Sequence, residues 1–85
     1  MGDIMEITVY STPTCPWCVK VKEFFKEKKV VFKDVNVAED SEAREYMVEA
    51  TGQMGVPQIE IKKDGKSDFV VGFDKETLKR KLNIK

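Results

Sequence analysis

Residues 9 to 22 read Val9-Tyr10-Ser11-Thr12-Pro13-Thr14-Cys15-Pro16-Trp17-Cys18-Val19-Lys20-Val21-Lys22. A strand-like run ends, a Pro-containing loop follows, and helical spacing begins at Pro16. Proline lacks an N–H and has a fixed φ, so it suits the first helical position. That makes Cys15 the N-cap and Cys18 the third helical residue. An N-cap side chain accepts hydrogen bonds from the second or third helical N–H, here Trp17 or Cys18. A thiolate at Cys15 is stabilised by those donors and by the positive end of the helix dipole. Cys18, one turn inward, should be more buried and more thiol-like. The spacing brings the two sulfurs close enough for a low-strain bridge.

Upstream, Met5, Ile7 and Val9 alternate, with Ile4 and Tyr10 on the other face, which predicts a strand over 4–10. Downstream, Val21, Phe24 and Phe25 form an apolar stripe, and Lys22, Glu23, Lys26 and Glu27 fill the opposite face. This predicts a helix over 16–29. The run 30–37 is β-branched and apolar, with Val31, Val35 and Val37 on one side and Phe32 on the other. Asp40 or Ser41 can cap a second helix whose inner stripe is Ala43, Met47 and Ala50, with Gly52 at its C-terminal cap. Pro57 opens a strand over 58–62, Asp64-Gly65 signals a hairpin turn, and 69–71 returns. Asp74 can cap the last helix. Phe73 and Leu78 flank that start as a hydrophobic staple, Leu78 and Leu82 face inward, and Lys79, Arg80, Lys81 and Lys85 suit the negative end.

The order β-α-β-α-β-β-α predicts an α/β fold in three layers. A four-stranded mixed sheet has helices on both faces, with a parallel right-handed first unit and an antiparallel hairpin last. The chain has 85 residues, one domain's worth, with no linker or repeat, so a single domain spans 1–85.

Composition narrows the chemistry. Fifteen Lys plus Arg balance fifteen Asp plus Glu, a net charge of zero. Neither nucleic acid nor an anionic membrane is an expected partner. Histidine is absent, which excludes a Cys-His catalytic pair and a histidine metal site. Two cysteines are too few for a disulfide-stapled scaffold or a one-chain zinc site. Without a membrane-length apolar run or a basic leader, the expected location is cytoplasmic, where a close cysteine pair serves redox or metal chemistry. A Cys-x-x-Cys beside a β-α-β unit favours redox chemistry. Cys15 attacks a substrate disulfide and Cys18 resolves the mixed disulfide, leaving Cys15–Cys18 oxidised. Lys20 and Lys22 either add positive potential or are solvated helix lysines. Inert thiols and a metal- or cluster-bridged dimer are the competing readings of the pair.

Val9-Tyr10-Ser11, Cys15-Pro16-Trp17-Cys18, Thr51-Gly52, Gly55-Val56-Pro57-Gln58-Ile59 and Val71-Gly72-Phe73-Asp74 together resemble the glutaredoxins over essentially the whole chain. The resemblance implies a thioredoxin-like fold and a dithiol oxidoreductase that acts on protein disulfides or glutathione mixed disulfides. It uses glutathione as co-substrate and holds no tightly bound cofactor or metal. It also implies a cis Pro57 facing the cysteines and a Val56 backbone that pairs with an extended substrate like an added strand. Gly72, Phe73 and Asp74 correspond to a γ-glutamyl carboxylate site at a helix start, where Asp74 takes the amino group. Pro16 and Trp17 line the site, with Trp17 in place of the usual tyrosine. Thr12 and, roughly, Met54 stand where the family commonly has cations that grip the glycine carboxylate. Those departures, with Gly72-Phe73 for Gly-Gly, resemble the small redoxins that serve ribonucleotide reductase and are recharged by thioredoxin reductase, a flavin enzyme. The remaining alternative is a dimer bridging a 2Fe–2S cluster, against which Pro16 counts. A monomer is expected otherwise.

Overall fold

The structure is a computed structural model that describes residues 5–63 and 65–82. The expected roles of Ile4, Asp64 and Lys85 lie outside the described residues. The elements are β1 (Met5–Ser11), α1 (Pro16–Glu27), β2 (Lys33–Asn36), α2 (Ser41–Thr51), β3 (Gln58–Lys63), β4 (Lys66–Val71) and α3 (Lys75–Leu82). The sheet order is β2-β1-β3-β4. β1 pairs parallel to β2 and antiparallel to β3, and β3 pairs antiparallel to β4. This is the thioredoxin-like α/β arrangement anticipated from the sequence.

The two-residue period of the strands divides the core into two layers. On one face Ile7, Val9, Ile59, Ile61 and Val70 meet Val21, Phe24 and Phe25 of α1 and Leu78 and Leu82 of α3. Met5, Phe32 and Phe73 pack against that cluster. On the other face Tyr10, Val37 and Met47 form a smaller cluster with Val35, Ala43, Val48, Val56 and Phe69. Helices therefore cover both faces, α1 and α3 on one and α2 on the other.

β4 begins at Lys66 rather than Phe69, and three further expected details differ. First, α1 stops at Glu27 rather than Lys29. Lys29 takes a left-handed φ of 58°, its N–H bonds to Lys26 O (3.1 Å), and Val30 N–H bonds to Phe25 O (2.8 Å). These two bonds make a Schellman cap with lysine where glycine is usual, so no glycine marked the end. Second, β2 is confined to Lys33–Asn36, because residues 28–30 are spent on that cap. Val31 is left 89% exposed instead of joining Val35 and Val37. Third, the inner line of α2 runs through Ala43, Met47 and Val48, while Ala50 faces solvent.

The caps of α2 and α3 form as expected. Asp40 accepts from Ala43 N–H at 3.0 Å, and Gly52 closes α2 with φ of 72°. Asp74 accepts from Thr77 N–H at 3.2 Å. In the β3–β4 hairpin Lys63 pairs with Lys66, and Gly65 has φ of 77°.

Candidate active site

Cys15 occupies the N-cap of α1 in an extended conformation, with Pro16 opening the helix. The Cys18 N–H donates to Cys15 Sγ across 3.2 Å. Of the two donors expected, Trp17 and Cys18, the structure uses Cys18. Cys15 N–H donates to the Thr12 carbonyl at 3.4 Å, which closes the preceding loop under the thiol. Both cysteines are free thiols, Cys15 half-buried and Cys18 fully buried. Burial pushes the Cys18 thiol up to about 11, with a hydrogen bond to Cys15 adding to the rise. A backbone hydrogen bond from Thr12 and the charge of Lys22 work against it. Cys18 is thus the buried, protonated member of the pair, as its place in the helix requires.

The opposite wall is the loop before β3. The Val56–Pro57 bond is cis, Pro57 is buried, and the Cys15 thiol donates to the Val56 carbonyl at 3.7 Å. Gly72 N–H then donates to Pro57 O at 2.8 Å, with Gly72 at φ of 87°. A continuous run of contacts therefore joins Thr12, Cys15, Val56, Pro57 and Gly72. A side chain at Gly72 would be strained by its backbone conformation.

Trp17 is 57% exposed beside the nucleophile position, with the Lys20 ammonium 5.1 Å from its ring centre. Trp17, Lys20, Phe24, Phe73 and Lys75 border a groove of about 280 Å³ along α1. Asp74 is exposed at the start of α3. Its carboxylate takes both Thr77 N–H (3.2 Å) and the Thr77 hydroxyl (2.7 Å), which hold it below the usual carboxylate range. Met54 stands 71% exposed on the loop leading to Val56.

Two buried polar residues were not singled out from the sequence. Gln58 is fully buried and donates from Nε2 to Gln53 O (3.0 Å) and Gly55 O (2.9 Å), pinning the loop that carries Val56. Glu60 is 6% exposed and accepts from the Tyr10 phenol at 2.8 Å and the Tyr46 phenol at 2.5 Å. Burial alone would raise its pKa. The phenols of Tyr46 and Tyr10, with further help from Ser67 and Lys62, hold it below the usual range instead. The available signal was position: Gln58 and Glu60 share one face of β3, opposite Ile59 and Ile61.

The Glutaredoxin family model matches residues 7–66. A glutaredoxin-like 8.6 kDa protein in the rubredoxin operon of Clostridium pasteurianum, itself uncharacterized, is 54% identical over 69 residues, which is 81% of this chain and 87% of that one. A point mutant of the thioredoxin-like protein BC3987 has a crystal structure that superposes with a TM-score of 0.84 at 38% identity, covering 94% of this chain and 97% of the other. The crystal structure of a glutaredoxin from Archaeoglobus fulgidus gives a TM-score of 0.73 at 27% identity, covering 93% and 87%.

Proposed function

Since the chain belongs to the glutaredoxin family, a family of thiol–disulfide oxidoreductases, we propose that it reduces protein disulfides or glutathione mixed disulfides with Cys15 as nucleophile and Cys18 as resolving thiol. The observation that carries the role assignment is the Cys18 N–H aimed at Cys15 Sγ across 3.2 Å at the start of α1. A helix-capping sulfur gains from charge, and a buried one loses by it.

In the first step the Cys15 thiolate attacks one sulfur of the substrate. The Cys15–substrate bond forms and the second substrate sulfur leaves as a thiolate that takes a proton. The extended substrate lies against the Val56 backbone, whose carbonyl is already turned toward Cys15. In the second step Cys18 loses its proton and attacks Cys15 Sγ. The internal disulfide forms and reduced substrate departs. Two electrons pass from the dithiol to the substrate, and an external reductant restores the pair.

For glutathione, the γ-glutamyl carboxylate would meet the amides of Phe73 and Asp74. Thr12 offers no cation to the glycine end. That departure, with Met54 exposed on the opposite side, favours a second reading in which a flavin disulfide reductase recharges the pair. Pro16 at the first helical position favours both readings over the cluster-bridged dimer. We place the reaction in the cytoplasm, carried out by a monomer. Among the described residues no helix is long and apolar enough to cross a membrane. The deciding experiment is turnover of a mixed glutathione disulfide coupled to NADPH, first through glutathione reductase and then through thioredoxin reductase. Turnover with the first only supports glutathione, turnover with the second only supports the flavin enzyme, and none with either rejects both.

A further inference from the structure

The resolving step sets a problem that the two cysteines do not solve alone. Cys18 must ionise to attack, yet it is fully buried behind the first turn of α1. When Cys15 carries the substrate, its opposing charge and hydrogen bond are gone, but burial remains. Some nearby positive group must offset it.

Lys22 lies one helical turn beyond Cys18, so the two side chains share a face of α1. Its ammonium is tied back to the sheet. It sits 3.0 Å from Asp34 Oδ2 of β2 and 3.4 Å from Ser11 Oγ at the end of β1. Ser11, only 2% exposed, donates in turn to Asp34 Oδ1 at 2.9 Å. The three residues form a closed network that holds the lysine side chain, one-quarter exposed, against the sheet. Lys20, exposed on the same helix, lies over the Trp17 ring instead.

We propose that Lys22, fixed by Asp34 and Ser11, is a positioning residue for resolution: its ammonium is held one helical turn along α1 from Cys18 so that its charge favours the Cys18 thiolate during attack on the mixed disulfide. Asp34 and Ser11 keep the charge in place, and Asp34 prevents an unpaired ammonium at a half-buried site. The field of Lys22 already acts on Cys18 in the reduced protein. The other groups around Cys18 do not supply this charge. Cys15 on α1 is consumed as the mixed disulfide. Tyr10 of β1 and Glu60 of β3 lie across the sheet under α2. Asp74, preceding α3, is negative and bound to Thr77.

The proposal rests on the assignment of Cys15 as nucleophile and Cys18 as resolving thiol, and a two-phase reaction separates the two claims. An aromatic disulfide such as 5,5′-dithiobis(2-nitrobenzoate) releases one coloured thiolate when Cys15 attacks and a second when Cys18 resolves. With Lys22→Met, the pH midpoint of the second phase should move up by about one pH unit. That means about tenfold less thiolate near neutrality, partly offset by the greater nucleophilicity of a more basic thiolate, so the second phase slows about threefold. The first phase should change less than twofold, and Lys22→Arg should restore the second. Lys22→Gln provides a second uncharged replacement if the methionine variant does not fold. A second-phase pH profile that overlays the parent, or equal slowing of both phases, overturns the proposal. A first phase that survives in Cys15→Ser overturns the role assignment instead.

Discussion

The Val56 carbonyl accepts the Cys15 thiol proton at 3.7 Å, and the loop that presents it is held from behind by Gln58 Nε2, bonded to Gln53 O and Gly55 O. The wall facing the nucleophile therefore depends on a buried amide that touches neither cysteine. Gln58→Ala removes two buried hydrogen bonds and should cost about 2 kcal/mol in urea unfolding. It should also lower kcat/KM for a mixed disulfide about tenfold, because the substrate-pairing segment loses its fixed position. Full activity in a folded Gln58→Ala protein would show that the loop holds itself.

Glu60 ties the second core layer together, and its protonation couples stability to pH. Its folded pKa lies below the ordinary carboxylate value, so its contribution is complete above about pH 5 and is lost as pH falls through and below about 4.3. Tyr10 behaves oppositely: burial and the Glu60 carboxylate raise its pKa, so its contribution is complete below about pH 10 and is lost as pH rises further. Cys18, raised to about 11, begins to withdraw its share above about pH 8.5. These three groups therefore leave stability unchanged between roughly pH 5 and pH 8.5. Tyr10→Phe leaves a buried carboxylate short of a donor and should cost about 2–3 kcal/mol, and Tyr46→Phe, nearer solvent, about 1 kcal/mol. A melting temperature that rises on acidification below pH 4 would contradict this account of Glu60.

Lys29 holds the left-handed position that ends α1, where a β-carbon is unfavourable. Lys29→Gly should stabilise the protein by about 0.5–1 kcal/mol, seen as a higher urea midpoint at unchanged slope. A lower midpoint would mean that the glycine's extra freedom in the unfolded chain outweighs the relieved strain.

The element order was legible because its signals are local. Alternation in β1, the apolar stripe of α1, Asp40 and Asp74 as caps and Gly52 as a stop each lie within one turn of what they specify. The cysteine geometry was legible for the same reason: Pro16 fixes the register that makes Cys15 the cap. The end of α1 was not, because a lysine occupies the position where glycine would have marked it. Gln58 and Glu60 were missed because their partners, Gln53 and Gly55 in a loop and Tyr10 and Tyr46 on other elements, meet them only after folding. Lys22 was named with Lys20 as either a source of positive potential or a solvated lysine, and the tether that sets it apart comes from two strands and forms only on folding.

The glycine end of glutathione supplies a direct test of substrate class. A charge-assisted hydrogen bond contributes roughly 1.5–3 kcal/mol, or about tenfold to a hundredfold in affinity. Thr12→Lys should therefore lower KM for glutathione at least tenfold. If it leaves KM unchanged and Asp74→Ala also has no effect, glutathione is not the partner and the flavin-reductase reading stands.

The central claim is the division of labour between Cys15 and Cys18, and trapping tests it most directly. In Cys18→Ser the mixed disulfide cannot be resolved internally, so incubation with a protein disulfide should yield a stable covalent adduct. Peptide mapping by mass spectrometry should place the substrate sulfur on Cys15, and Cys15→Ser should form no adduct. A substrate sulfur bound to Cys18 in Cys15→Ser, with protein-disulfide turnover retained, would contradict the account.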